Sequence, residues 1–118
     1  MTTLTESDKE KLVKLSELKW FKDADGIWVY YCESGLATRW LNPDSTDFYY
    51  QVHAILLPKV REQDDRFIYE FTNKITMRAM RKVLDEKRFG VANYLLESIS
   101  APPLTIATAI LELIKEEG

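Results

Sequence analysis

The residues with intrinsic chemistry are few and scattered in this sequence. His53 is the only histidine and Cys32 the only cysteine. A histidine between Val52 and Ala54 on an amphipathic stretch reads as a core-edge or surface side chain, because no second base, nucleophile or carboxylate stands at a catalytic spacing from it. Cys32 sits in an apolar, strand-like run where a thiol packs and stays inert. One histidine and one cysteine cannot supply the nitrogen and sulfur ligands of a structural zinc site. The acidic pairs Asp23/Asp25 and Asp64/Asp65 fall in turn-like segments, and Asp44/Asp47 open a helix. No spacing among them demands a divalent cation. The four glycines, Gly26, Gly35, Gly90 and Gly118, form no phosphate-cradling loop. The expectation is a protein that is not an enzyme and takes no cofactor and no metal.

Two other groups remain. The stretch from 74 to 88 holds six basic residues against Asp85 and Glu86, within a chain whose net charge is -3. Arg78, Arg81, Lys82 and Arg88 are the candidates for an anion-binding surface, since a guanidinium grips carboxylate or phosphate with two parallel hydrogen bonds. Arg78 shares a side with Lys82 on either a helix or a strand. The second group is aromatic. Tyr30-Tyr31 and Tyr49-Tyr50 are adjacent pairs whose members cannot both point inward, so at least one of each is exposed or covered by a partner.

These side chains must be held by a chain of 118 residues, 46% hydrophobic and 30% charged, which is a globular composition and long enough for one domain spanning 1–118. A lone cysteine fits a reducing cytoplasm. The first ten residues are polar and carry no signal-peptide pattern, and the apolar run 99–111 is too short to span a bilayer. The acidic balance argues against a dedicated nucleic-acid binder.

Ser7 with Glu10 makes a capping box before Leu12, Leu15 and Leu18, which predicts a helix over 8–19. Asp23 to Gly26 is turn chemistry, followed by a strand over 27–32. Asp44 or Ser45 caps a helix carrying Phe48, Val52, Ile55 and Leu56 on one stripe, which Pro58 should kink or end. Residues 66–72 alternate Phe67, Tyr69 and Phe71 and read as a second strand. Residues 74–98 admit two readings: a helix through 75–86 on propensity, or a hairpin turning at 85–88. The last helix has Ser100 as cap, Pro102 or Pro103 in its first turn, and Leu104, Ala107, Ile110, Leu111 and Ile114 as its stripe. Ile106 and Leu113 lie off that stripe, so it should be covered on more than one side.

Three blocks resemble the phage ABA-sandwich domain family: Ile27-Trp28-Val29, the helix start Trp40 to Asp47, and Ala101 to Leu111. The resemblance implies a small antiparallel sheet packed between helices, an α-β-α sandwich-like α+β fold, and favours the hairpin over 74–98. It also implies a phage or prophage origin and brings no catalytic residues. The expected function is protein binding: capture of a host or phage macromolecule in the host cytoplasm, inhibition of host machinery included. The tyrosines and the 74–88 cations would form the contact, with homo-oligomerisation open and no membrane partner. The alternative is a binder of an anionic, nucleotide-like molecule held between tyrosines and arginines.

Overall fold

A computed structural model describes residues 4–31 and 37–117 of the chain, and Cys32 lies outside them. The fold is α+β, with a small antiparallel sheet among helices, and the chain divides into two compact units, 1–62 and 63–118.

In the first unit, α1 (Glu6–Ser16) starts on Thr5 rather than Ser7. The Thr5 hydroxyl accepts from the Asp8 amide at 3.1 Å, and the Asp8 carboxylate accepts from the Thr5 amide, a reciprocal cap two residues earlier than the Ser7/Glu10 pair suggested. The helix ends at Glu17, whose φ of 58° is left-handed. Three strands follow, β1 (Phe21–Lys22), β2 (Trp28–Tyr31) and β3 (Ala37–Arg39), in the order β1-β2-β3 and all antiparallel. Phe21 pairs with Val29, and Val29 with Arg39. The predicted turn joins β1 to β2. Asp23 Oδ1 accepts from the amides of Asp25 and Ile27, while Gly26 takes a φ of 77° that only glycine adopts freely.

The next helix begins where the sequence placed it. Ser45 Oγ accepts from the Asp47 amide, and α2 (Asp47–Tyr50) runs into a π-helical segment (Gln51–Leu56) before α3 (Leu57–Arg61). The Leu57 amide donates to the Val52 carbonyl, one residue further back than in an α-helix. Pro58 therefore does not end the helix. The wide turn shifts the register ahead of it, so the missing Pro58 donor leaves a gap in the ladder without breaking the run. Phe48, Val52, Leu56 and Val60 are buried along this run.

The second unit is entirely helical among its described residues: α4 (Asp65–Asp85), α5 (Val91–Ile99) and α6 (Pro103–Glu117). This overturns the strand over 66–72 and the hairpin over 74–98. Asp64 Oδ1 accepts from the Phe67 amide at 2.8 Å, so the pair Asp64/Asp65, taken from sequence as part of a turn, is a helix start. Twenty-one residues of mostly helix-forming character outweigh a short aromatic alternation. Of the three aromatics only Phe67 is fully buried, whereas Tyr69 is 70% exposed, as helical rather than strand periodicity dictates. Ser100 ends α5 instead of capping α6, which starts on Pro102 and Pro103. Ile106 and Leu113 are buried together with Ala107, Ile110 and Leu111, so α6 is covered on more than one side as expected.

Candidate functional site

The tyrosines belong to the first unit. Tyr30 packs against Trp20, ring centroids 4.7 Å apart, and Trp20 against Trp40 at 4.2 Å. Trp40 is only 1% exposed and donates its indole N–H to the Lys9 carbonyl, while Trp20 donates to Ser16 Oγ. Tyr30 is thus part of an aromatic cluster that builds the fold. Tyr31 faces the other way, exposed, and stacks on Phe21 diagonally across the β1–β2 pair at 5.2 Å. Tyr49 and Tyr50 are both exposed, and Tyr49 stacks on His53 at 4.0 Å. His53 Nε2 is buried without a hydrogen-bond partner among the described residues, as is Trp28 Nε1. A side chain absent from the sequence-based list, Gln51, organises this region. Its Oε1 accepts from the Leu41 amide at 2.7 Å and its Nε2 donates to the Arg39 carbonyl at 3.0 Å. Leu41 has a φ of 50°, and the two bonds hold that left-handed residue at the end of β3. A glutamine one residue after Tyr49-Tyr50 gives no sequence signal of such a role.

The cations belong to the second unit, and most are engaged internally. Arg78 donates to Thr105 Oγ1 on α6. Lys82 pairs with Glu97 on α5 at 3.2 Å, and Arg88 bridges Glu86 at 2.8 Å and Glu97. The hydrogen bond donated by Arg88, followed by that from Lys82, holds the Glu97 carboxyl below its ordinary 4.5; the hydrogen bonds that Arg88 donates to Glu86 and then Glu97 push its own guanidinium up. Lys74 pairs with Glu112 on α6. Three of the four proposed anion-binding residues therefore tie α4 and the following turn to α5 and α6. Arg81 and Lys87 are exposed and enter no ion pair among the described residues. Sequence composition counts charges but does not say which are already matched.

Arg78 and Lys82, with Ile75, Ala79, Glu97 and Pro102, also line a cleft of about 80 Å³. That is room for an ion-sized group or a few waters, well below the roughly 300–1,000 Å³ of small-molecule sites. No group of three or more histidine, cysteine or acidic side chains able to hold a metal ion occurs among the described residues.

The less expected feature is apolar. On α4, Tyr69, Met77, Met80 and Leu84 are exposed along one side, opposite at the helical period to Ile75, Arg78, Ala79 and Lys82, which line the cleft. Arg81 borders this stripe. No family model, curated protein or solved structure matches the chain.

Proposed function

We propose that this chain is a small, non-catalytic interaction protein of the phage or prophage type, working in the host cytoplasm by docking on an acidic host or phage protein. The observation that carries this reading is the exposed stripe Tyr69, Met77, Met80 and Leu84 on α4, edged by Arg81. Met77, Met80 and Leu84 are the apolar part of this face, with exposed Asn73 between them and Tyr69, and such a patch in water favours cover by another protein surface. Methionine suits such a surface because its unbranched, polarizable side chain adapts to the partner. Arg81, which enters no ion pair among the described residues, selects for acidic groups at the rim of the contact. The phage or prophage assignment rests on the resemblance of the Trp28, Trp40 to Asp47 and Ala101 to Leu111 blocks.

Affinity capture from bacterial lysate with the full chain tests it. A specific protein should be retained, released by rising salt, and lost with Met80→Glu combined with Arg81→Glu. Both positions are exposed, so the variant should keep its helical circular dichroism. Retention of nothing, or equal retention by the variant, rejects the reading. The Arg78→Glu/Lys82→Glu pair is unsuitable for this purpose, because it breaks contacts between α4 and its neighbours.

A further inference from the structure

Helix α5 is turned inside out. Val91, Leu95, Leu96 and Ile99 are all exposed, Val91 by 74% and Ile99 by 80%, and no residue of the helix is fully buried. Its half-buried side carries Asn93, Tyr94, Glu97 and Ser98. Glu97 is the only charge on the helix, and Lys82 and Arg88 neutralise it on that inner side. The outer face is left apolar and uncharged, and Phe89, just before the helix, is 66% exposed.

We infer that this face pairs with a second copy of the chain, α5 against α5 in antiparallel, two-fold fashion. The contact goes beyond the docking stripe on α4 and does not depend on it. Burying this face strands no charge, which is the composition expected of an interface core. Five side chains at half exposure or more offer on the order of 100 Å² each, so two copies bury about 1,000 Å², the lower bound for a specific interface and the range of a weak, concentration-dependent dimer. Two-fold pairing makes the same patch serve both sides. It also brings charge complementarity at the ends. Lys87, without an ion pair among the described residues, stands just before the α5 N-terminus, and in an antiparallel pair it meets the partner's last helical turn. The carbonyls there carry partial negative charge, and Pro102 and Pro103 bring no N–H to them. An anionic membrane fits less well. Interfacial helices array cations on their own polar face, whereas that of α5 holds asparagine and glutamate in a chain of net charge -3.

The test is sedimentation equilibrium of the full chain from micromolar to near-millimolar concentration. The mass should rise from one copy toward two. Leu95→Lys with Ile99→Lys should stay monomeric throughout with unchanged helicity, since neither side chain is buried in the single copy. Lys87→Glu should weaken the association several-fold. A wild-type chain that stays monomeric overturns the inference, including one whose α5 binds vesicles of phosphatidylglycerol and phosphatidylcholine instead. A dimer that survives the double lysine substitution, or one indifferent to Lys87→Glu, overturns it as well.

Discussion

At the scale of single residues, the polar side chains that matter are those whose partners lie far away in sequence. Gln51 is 2% exposed and bonds the backbone on both sides of the β3 end. Gln51→Ala removes both bonds and leaves the buried Leu41 N–H and the part-buried Arg39 C=O without their side-chain partner. Each orphaned group costs about 1–3 kcal/mol. Urea denaturation should therefore show Gln51→Ala destabilised by roughly 2 kcal/mol or more, whereas alanine at exposed Tyr50 in the preceding position should change stability little. Equal midpoints for the two variants would show that the clamp does not hold Leu41. His53 presents a different case. Its position on a stripe edge was readable, but the stack on Tyr49 arises from the helical i, i+4 relation.

At the scale of elements, α5 and α6 show how differently two apolar helices are used. α6 is an apolar helix buried over most of its circumference, with Ile110 fully inaccessible. Ile110→Ala should cost about 2–5 kcal/mol, from lost transfer energy plus the cavity left in a close-packed layer. An unchanged denaturation midpoint would place α6 at the periphery. The strand expected over 66–72 failed because seven residues of aromatic alternation fit either period, and only the continuous run from the Asp64 cap to Asp85 makes the helix. The π-helical turn before Pro58 was likewise not readable. Proline announces a defect in the ladder, while the choice between a break and a wide turn depends on whether buried Val52, Leu56 and Val60 gain more by keeping the helix going.

At the scale of the whole molecule, stability should be unevenly spread. Amides in α6 lie among buried side chains, whereas those in α5 sit on a helix with none. Hydrogen exchange in dilute solution should be slowest through Ile106 to Leu113 and much faster through Ala92 to Ile99. Uniform protection of the two helices would contradict this division.

The sequence by itself determined the α+β class, the turn at Asp23 to Gly26, the helix starting near Asp47, the last helix with its two covered sides, and the exposure of at least one tyrosine in each pair. These are local matters: capping groups, glycine φ and side-chain periodicity act over a few residues and leave their mark in order. Tertiary structure decided which charges remain to face outward. Arg78, Lys82 and Arg88 are spent on Thr105, Glu86 and Glu97, and Arg81 and Lys87 enter no ion pair among the described residues, because ion pairing depends on which helix packs beside which. It also decided that α5 turns its apolar side outward. Periodicity marks an amphipathic face but carries no direction, and here Glu97 follows Lys82 and Arg88 inward, leaving Val91, Leu95 and Ile99 to the solvent.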